Sequence, residues 1–452
     1  MSAPRVAVVG FGVTGRAVAS HLRRRGDRVV VMDDRVDQEM TEAARAMGVE
    51  LLRTPGDDAA VSELLAGCAM VVPSPGVAVN HPVYPAAGRA GVPVISEIEL
   101  ASAMAQGREG LRLLAITGTN GKTTVTTLVT AILEEAGLSA VAAGNIGLPL
   151  IEAVGGDHDV VVAEVSSFQL SFTVEFRPAV SCWLNLTPDH LDWHPSLEHY
   201  AAAKSRIWAN QGPGDRAVFN ADDAVVRLRA SGIPTGVERL ACSTKGPAPF
   251  SLVDGNITGP GGVAVMAVDE LPRRLPHDVS NSLAAVAVAM SAGASPESCR
   301  GALSRALPLP HRVSLVASES GISWYDDSKA TTPASVLAAV SGFDSVVLIA
   351  GGRNKGLDLR VLASAVPPIR AAVAIGEAAD EVVDALGSRV PVVTAGDMEA
   401  AVELAAGMAE PGDSVLLSPG CASFDWYTSY AARGDHFAGL VRQKVEEGGA
   451  QC

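Results

Sequence analysis

The sequence predicts an α/β protein of three domains, with Rossmann-like domains at the N-terminal and C-terminal ends and a central domain of P-loop mononucleotide-binding architecture. Short apolar runs alternate with amphipathic helical runs, a pattern typical of parallel sheets covered by helices. At Arg5–Gly15 and again at Leu114–Val125, an apolar strand leads into a glycine-rich turn and then a helix. The 452 residues allow roughly three domains of about 150 residues each. We place the domain boundaries at residues 1–108, 109–309 and 310–452.

The central glycine-rich turn has the composition of a phosphate-binding loop. The apolar run Leu114–Ile116 predicts a buried strand, and the run after Thr123 predicts an amphipathic helix that ends before Gly137. Small residues let backbone N–H groups approach phosphates, and the helix N-terminus adds positive charge. Ile116 stands where the usual pattern has its first glycine, so the loop is a shorter variant. The residues predicted to bind ATP phosphates are Gly118, Thr119, Asn120, Gly121, Lys122, Thr123 and Thr124.

Composition and charge narrow the function classes. Lys and Arg number 35 against 50 Asp and Glu, giving a net charge of −15, which argues against general nucleic-acid binding. The cysteines are widely spaced, without the spacing of metal ligands, and predict reduced thiols. They are Cys68, Cys182, Cys242, Cys299, Cys421 and Cys452. No apolar run approaches the ~20 residues of a membrane helix, so we expect a cytoplasmic protein without membrane insertion. We also expect a monomer.

The N-terminal segment has a second nucleotide-binding pattern. Residues 10–15 read G-x-G-x-x-G after a strand, and Asp33-Asp34 ends the next strand, about 20 residues further on. Taken alone this pattern predicts NAD, but any nucleotide diphosphate can bind the same helix N-terminus. Ser74–Gly76 follows another strand, and Val92–Ile95 is predicted to be a further strand. Residues 105–110 are predicted to form a linker.

The central segment places polar residues at the ends of further strands. Glu164 ends an apolar run, and a buried carboxylate is costly unless it is paired. Beside a phosphate loop the obvious partner is Mg²⁺, and a salt bridge in the core is the alternative. Asn145 follows another predicted strand, and residues 240–275 predict a small β insertion followed by an alanine-rich helix.

A polar loop and a lysine complete the central segment. Asp189, His190, Asp192 and His194 follow an apolar strand and predict a second polar cluster near the phosphates. Lys204 lies on a predicted helix, where a lysine is ordinarily solvated.

The last segment predicts a third α/β domain with an anion-binding rim. Strands are predicted at Ile322–Tyr325, Ser345–Ala350, Ala371–Ile375 and Ser414–Leu417. Three of them lead into loops that are rich in glycine, hydroxyl and lysine side chains, which suit an anion if the loops meet at one edge of a sheet. Each loop alone could equally be a solvated turn.

These motifs, taken together and in order, resemble the Mur ligases over essentially the whole chain. The motifs are Thr117–Thr123, Gly144–Gly147, Glu164–Gln169, Asp189-His190, Lys204, His311-Arg312 and Asp327–Thr331. The segments Glu164–Gln169, Asp327–Thr331 and Ser418–Asp425 favour the branch that adds D-glutamate to UDP-N-acetylmuramoyl-L-alanine. The resemblance implies a cytoplasmic step of peptidoglycan precursor synthesis. In it, ATP converts the substrate carboxylate to an acyl phosphate, which the amine of D-glutamate then attacks.

The resemblance also implies residue roles, each transferred to the matching position. The implied catalytic residues are Lys122, Asn145, His190 and Lys204. The implied ligands of two Mg²⁺ ions are Thr123, Glu164, His190 and Lys204, with Lys204 carbamylated into an anionic ligand. The ATP site would add Asn281, Arg312 and Asp327. The UDP substrate would meet Gly12, Thr14, Asp33, Arg35, Ser74, Pro75, Gly76 and Asn145. D-glutamate would meet Lys329, Thr331, Lys355, Ser423 and Phe424.

Three departures from the family pattern leave alternatives open. Asp278 and Thr332 stand where the family often has Asn, and the loop Gly351–Lys355 is a variable version. The alternatives within the family are ligases that use L-glutamate or another amino acid. Two alternatives come from other classes of protein, an NAD-linked oxidoreductase and a non-catalytic nucleotide-binding regulator. The residues of the site have to distinguish them from a ligase.

Overall fold

The structure, a computed structural model, describes residues 3–191 and 193–449, so Asp192 and Cys452 lie outside the described residues. The strands are β1 (Arg5–Val9), β2 (Arg28–Asp33), β3 (Glu50–Arg53), β4 (Cys68–Pro73), β5 (Arg112–Thr117), β6 (Ala140–Gly144), β7 (Val160–Glu164), β8 (Val180–Trp183), β9 (Arg216–Asn220), β10 (Glu238–Ser243), β11 (Phe250–Val253), β12 (Asn256–Gly259), β13 (Val263–Ala267), β14 (Ser314–Glu319), β15 (Ile322–Asp326), β16 (Val346–Gly351), β17 (Ile369–Ile375), β18 (Val392–Thr394) and β19 (Ser414–Gly420).

The helices alternate with these strands along most of the chain. They are α1 (Val13–Arg25), α2 (Gln38–Met47), α3 (Asp58–Leu65), α4 (Val83–Ala90), α5 (Glu97–Gln106), α6 (Lys122–Glu135), α7 (Leu150–Gly155), α8 (Ser167–Ser171), α9 (Leu197–Ser205), α10 (Ala224–Arg229), α11 (Pro276–Ser291), α12 (Pro296–Leu303), α13 (Pro333–Val340), α14 (Ala379–Leu386), α15 (Met398–Met408) and α16 (Tyr430–Gly449). Short 3₁₀ helices cover Arg206–Trp208, Ala230–Gly232, Pro260–Gly262, Val268–Glu270 and Leu359–Ala365.

The described chain forms two compact units. The first contains the described residues up to Leu186, together with Pro195–Ala267 and Asn281–Ser304. The second contains Thr187–His194, Val268–Ser280 and the described residues from Arg305 onward. The domain boundaries after residues 108 and 309 stay a prediction.

The first unit contains two sheets. The N-terminal sheet has the order β3-β2-β1-β4, and its strands pair in parallel. Val92–Ile95 is not a strand, because only Val94 forms an isolated bridge, to Val71. The linker prediction for residues 105–110 is also partly wrong, since α5 continues to Gln106. Its sequence EIELASAMAQ is rich in good helix formers, which extends the helix into the predicted linker.

The central sheet of the first unit has the order β13-β12-β11-β10-β9-β8-β5-β7-β6. Its strands from β6 to β11 pair in parallel, while β11, β12 and β13 form antiparallel pairs. These last strands confirm the predicted β insertion, and α11 confirms the alanine-rich helix. The central strands β5 and β7 are buried along almost their whole length, which explains their continuous apolar sequence.

The second unit has one sheet of order β14-β15-β19-β16-β17-β18. The strands from β15 to β18 pair in parallel, and β14 adds an antiparallel edge. The predicted strands are all present, while β14 and β18 were not predicted. Both have mixed burial at a sheet edge, so they lack a continuous apolar signal.

Two further expectations concern the whole chain. The described cysteines Cys68, Cys182, Cys242, Cys299 and Cys421 are buried and unpaired, as the spacing predicted. Among residues 3–191 and 193–449, no helix combines the length and the apolar character needed to cross a membrane.

A buried arginine joins two loops of the second unit. Arg433, on α16, is 1% exposed and donates from Nε to Ser328 Oγ at 2.9 Å and from Nη2 to Ser328 O at 2.8 Å. It also donates to the carbonyl oxygens of Cys421 at 3.1 Å and Ala422 at 3.3 Å. Burial lowers the pKa of Arg433 to about 10, with the charge of Asp425 opposing, so the side chain stays charged at neutral pH.

We expect Arg433→Met to destabilise the second unit by about 2–4 kcal/mol, because the buried carbonyl groups of Ser328 and Cys421 lose their donor. Differential scanning calorimetry should show a lower Tm for one transition. Arg442→Met, an exposed position on the same helix, is the matched control and should leave both transitions in place. Equal Tm values for the two variants would contradict this role for Arg433.

Candidate active site

The phosphate loop lies between β5 and α6, as predicted. Gly121, with φ 83°, is the N-cap residue of α6, and its conformation suits a residue without a side chain. A Cβ atom at Gly121 would lie 2.6 Å from Asn281 Oδ1. The predicted nucleotide-site residue Asn281 therefore packs directly against the loop.

Asn185 organises the loop and was not predicted as a site residue. Its side-chain Oδ1 accepts from the backbone N–H groups of Thr119 at 3.0 Å and Asn120 at 2.9 Å. Its Nδ2 donates to Asn120 O at 3.1 Å. The residue follows β8, which pairs with β5, and this position at the end of a neighbouring strand was the available sequence signal.

Two lysines meet at one carbonyl group of the loop. Lys122 Nζ donates to Gly118 O at 3.0 Å and to Thr119 O at 2.8 Å. Lys204 Nζ donates to Gly118 O at 2.8 Å and lies 4.7 Å from the centre of the Tyr200 ring. Lys204 is only 1% exposed, so it is not the solvated side chain that its helix position suggested. Two positive charges at a glycine-rich loop create a site for a polyanion.

A buried glutamate faces the same edge of the sheet. Glu164 ends β7 and is 3% exposed. Its Oε1 accepts from Asn145 Nδ2 at 3.0 Å, while its buried Oε2 has no hydrogen-bond partner among the described residues. A Cβ at Gly144 would lie 2.5 Å from Glu164 O, so only glycine permits this close approach.

This glutamate fits a magnesium ligand. Within the described ranges, no group of three His, Cys, Asp or Glu side chains could hold a metal ion by itself. Mg²⁺ commonly takes one or two carboxylates together with water and substrate phosphates, so an open carboxylate oxygen beside a phosphate loop suits that ion.

The N-terminal glycine-rich turn opens onto a cavity of about 600 Å³ in the first unit. The predicted residues that line it are Gly12, Thr14, Asp33, Ser74, Pro75, Gly76 and Asn145. Arg35 is exposed and is not among the lining residues, so the structure does not bring it into the predicted set. Asn145 lines the cavity and also donates to Glu164, so it joins the cavity wall to the edge of the central sheet from which the phosphate loop extends.

Acidic side chains support the cavity wall. Asp33 accepts the backbone N–H of Phe11 at 2.6 Å through Oδ2 and that of Arg35 at 2.9 Å through Oδ1. His81, which sequence reasoning missed, accepts Val83 N–H at Nδ1, so its Nε2 donates to Asp34 Oδ1 at 3.0 Å. That hydrogen bond lowers the pKa of Asp34, although partial burial opposes it.

His190 lies in the segment Thr187–His194, which belongs to the second unit. Its φ is 54°, and its backbone N–H donates to Asp189 Oδ1 at 2.8 Å. Its Nε2 is 3.4 Å from Asp189 Oδ2. The predicted metal ligands are therefore distributed over both units, with Thr123, Glu164 and Lys204 in the first.

Asp327 is a buried acid of the second unit. Its Oδ2 accepts from Ser418 Oγ at 2.7 Å, and its Oδ1 accepts from Val313 N at 3.3 Å. Burial raises the pKa of Asp327 to about 7, while the Ser418 hydrogen bond and the charge of Arg312 oppose this rise. The two predicted nucleotide-site residues Arg312 and Asp327 thus interact electrostatically.

The predicted amino-acid residues lie on loops that follow β15, β16 and β19. These strands are parallel neighbours, so their carboxyl ends share one edge, as the sequence predicted. Lys329 Nζ lies 5.1 Å from the Tyr430 ring centre, Ser423 is buried and Phe424 is 58% exposed. Thr331 and Lys355 are half-buried on the same set of loops.

Two of the departures from the family pattern have local structural roles. Asp278 binds Arg273 through both carboxylate oxygens, at 2.6 and 2.7 Å. Thr332 is the N-cap of α13, and its side chain accepts from Ser335 N–H at 3.3 Å.

Three α/β sheets, a glycine-rich cavity and a phosphate loop define a multidomain nucleotide-binding protein. Residues 4–96 match the Mur ligase MurD-like N-terminal domain, residues 116–289 the Mur ligase middle domain, and residues 311–421 the Mur ligase glutamate ligase domain. The chain belongs to the Mur ligase family.

Curated relatives extend over nearly the whole chain. A UDP-N-acetylmuramoylalanine–D-glutamate ligase of Frankia casuarinae is 42% identical, covering 97% of this chain and 94% of the relative. The ligase of the same name from Streptomyces coelicolor is 36% identical and covers 98% of each chain.

Solved structures share the fold at low sequence identity. MurF from Acinetobacter baumannii has a TM-score of 0.62 at 17% identity, covering 98% of this chain and 93% of its own. The UDP-N-acetylmuramate–alanine ligase MurC from Thermotoga maritima has a TM-score of 0.59 at 19% identity, covering 97% of this chain and 99% of its own. The predicted fold class is confirmed.

We expect Asn185→Ala to weaken ATP binding, because the Asn120 N–H loses its side-chain acceptor, the Thr119 N–H keeps only the backbone oxygen of residue 185, and the loop loses its shape. A cost of about 1–3 kcal/mol corresponds to a rise of roughly 5- to 100-fold in the Kd for ATP. Isothermal titration calorimetry measures it, with Asn256→Ala at the start of β12, in the β insertion, as the control. An unchanged Kd in Asn185→Ala would exclude this role.

Proposed function

We propose that the protein is an ATP-dependent ligase that joins D-glutamate to UDP-N-acetylmuramoyl-L-alanine through an acyl phosphate, in the cytoplasmic synthesis of peptidoglycan precursors. The observation that carries the proposal is the hydrogen bond between Asn145 and Glu164. Asn145 lines the cavity of the glycine-rich turn, and Glu164 lies at the end of β7, next to the strand that precedes the phosphate loop. A UDP-linked carboxylate and a triphosphate can therefore meet at this point.

The first chemical step needs positive charge more than it needs a base. The substrate carboxylate attacks the γ-phosphorus of ATP, the bond to ADP breaks, and an acyl phosphate forms. Negative charge accumulates on the phosphoryl oxygens during this transfer. Lys122, at Gly118 O, is the side chain of the phosphate loop that is available to stabilise it.

The second step forms the amide. The amine of D-glutamate attacks the acyl carbon, loses a proton, and expels phosphate from the tetrahedral intermediate. Lys329, Thr331, Lys355, Ser423 and Phe424 are proposed to hold the amino acid, since a lysine and hydroxyl groups suit a dicarboxylate.

The proposed cofactor is Mg²⁺ at two sites, which would neutralise phosphate charge when bound. Thr123 and Glu164 would hold the first ion, in keeping with the open Oε2 of Glu164. His190 and a carbamylated Lys204 would hold the second. The burial of Lys204 beside the phosphate loop supports this proposal, since a lysine without such a role is ordinarily solvated.

The direct test is phosphate release from ATP in the presence of UDP-N-acetylmuramoyl-L-alanine. We expect release with D-glutamate and none with L-glutamate or without an amino acid. Release with L-glutamate alone would keep the mechanism and change the specificity. A complete lack of release would favour the regulator, and nicotinamide fluorescence on titration would reveal an oxidoreductase.

Lys204→Ala should lower kcat by at least about 100-fold while the protein still binds UDP-N-acetylmuramoyl-L-alanine, because it removes a proposed ligand of the second Mg²⁺ ion. Steady-state kinetics and calorimetry measure the two effects. Lys245→Ala, at an exposed position of the β insertion, is the control. Nuclear magnetic resonance with isotope-labelled bicarbonate tests the carbamate directly, and a signal that persists in Lys204→Ala would refute its assignment.

A further inference from the structure

Side chains of helix α5 accept hydrogen bonds from backbone N–H groups of two segments beside the central sheet. Glu99 accepts from the backbone N–H groups of Val174 at 2.9 Å and Glu175 at 2.7 Å. Ser102 Oγ accepts from Arg177 N–H at 3.1 Å. These contacts hold the segment 174–177, which precedes β8.

Glu97 makes the corresponding contact with a different segment. It lies in the first turn of α5, is 2% exposed, and accepts the backbone N–H of Ile151 at 2.6 Å through Oε1. Ile151 is in the first turn of α7, whose own N-cap residue, Pro149, supplies no side-chain acceptor. The carboxyl of Glu97 therefore replaces the missing cap of α7.

The capped helix follows the loop that carries Asn145. Only five residues, 145–149, separate the end of β6 from the start of α7. Gly144 N–H donates to Leu148 O at 2.8 Å, and Asn145 N–H donates to Glu164 O at 2.8 Å. A loop this short transmits a shift of the α7 N-terminus to Asn145 and to the cavity wall.

We propose that Glu97 is a positioning residue, which caps α7 and thereby holds Asn145 between the cavity and Glu164. The consequence for substrate affinity rests on the proposed function, whereas the cap itself does not. Glu97 does not line the cavity, and its carboxyl bonds to the backbone of α7, so we infer that it acts through that helix.

The contribution of Glu97 to stability depends on its charge state and changes near neutral pH. Burial raises the pKa of Glu97 to about 7, the backbone hydrogen bonds from Ile151 and Leu150 oppose this rise, and the charge of Glu152 on α7 adds to it. Two other elements, α8 and β5, also pack against α5. Helix α8 has no charged residue, and the charged residue of β5, Arg112, donates to Ala292 O. The folded-state pKa lies above the unfolded value, so the stability contribution is full below about pH 4.5 and is lost as the pH rises through about 7.

The test compares Glu97→Ala and Glu97→Gln with the matched control Glu99→Ala. Hydrogen exchange at the amide of Ile151, calorimetric binding of UDP-N-acetylmuramoyl-L-alanine, and the KM values for this substrate and for ATP are measured between about pH 5 and about pH 9. Glutamine keeps the accepting oxygen and cannot ionise. Glu99→Ala removes a comparable carboxylate acceptor of backbone N–H groups, but from a segment that does not carry Asn145.

We expect Glu97→Ala to speed exchange at Ile151 and to weaken binding of the UDP substrate by about 10-fold, with a smaller change in the KM for ATP. Glu97→Gln should bind like the parent protein at low pH, and its Tm should fall less than the parent's as the pH rises through about 7. Glu99→Ala should lower the Tm without changing the substrate KM.

Two results would overturn the proposal. One is unchanged exchange at Ile151 in Glu97→Ala. The other is a loss of substrate affinity in Glu97→Gln equal to that in Glu97→Ala at every pH. If no form of the protein ligates or binds the UDP substrate, the proposed function fails, and exchange at Ile151 still decides whether Glu97 caps α7.

Discussion

The register of the central parallel strands is the constraint on which the candidate site of the first unit depends. In β5 and β6, Ile116 and Gly144 both pair with Glu164 of β7, while Thr117 pairs with Trp183 of β8. The loops that follow these strands therefore begin at one edge of the sheet. A slip of one residue in β7 would turn Glu164 to the opposite face and separate it from Asn145. This alignment sets the position of the phosphate loop, the hydrogen bonds of Asn185 to that loop, and the hydrogen bond between Asn145 and Glu164.

Two buried carboxyl groups of the first unit, those of Glu97 and Glu164, have different hydrogen-bond environments. The carboxyl of Glu97 accepts a backbone N–H, as a structural group does, whereas Glu164 keeps one buried oxygen without a hydrogen bond among the described residues. Lys122 and Lys204 place their ammonium groups at the phosphate loop, where both donate to the carbonyl group of Gly118. An acidic chain with a net charge of −15 can in this way hold a triphosphate locally. A non-catalytic regulator has no evident need for an open buried carboxylate beside two cations.

Sequence patterns located the strands and the glycine turns, because continuous apolar runs and small residues are local signals. The phosphate loop, Glu164 and Asn145 were predictable for the same reason, since each ends an apolar run. Lys204 was not, because a helical lysine looks solvated until the neighbouring elements bury it. Asn185 and His81 act through contacts with residues far away in the sequence, and Arg433 joins two loops that only the fold brings together. The edge strands β14 and β18 lacked an apolar signal altogether.

Asp278 departs from the family pattern, and its hydrogen-bond partner Arg273 explains this departure. Arg273 binds both oxygens of Asp278, and its Nη1 also donates to the carbonyl groups of Arg312 and Val313. Val313 has φ 48°, a left-handed conformation that is unfavourable for a β-branched residue and therefore needs outside support. An asparagine at position 278 could not form the same doubly hydrogen-bonded, charged pair with the guanidinium. Asp278 and Arg273 are thus a matched pair that holds the backbone next to Arg312.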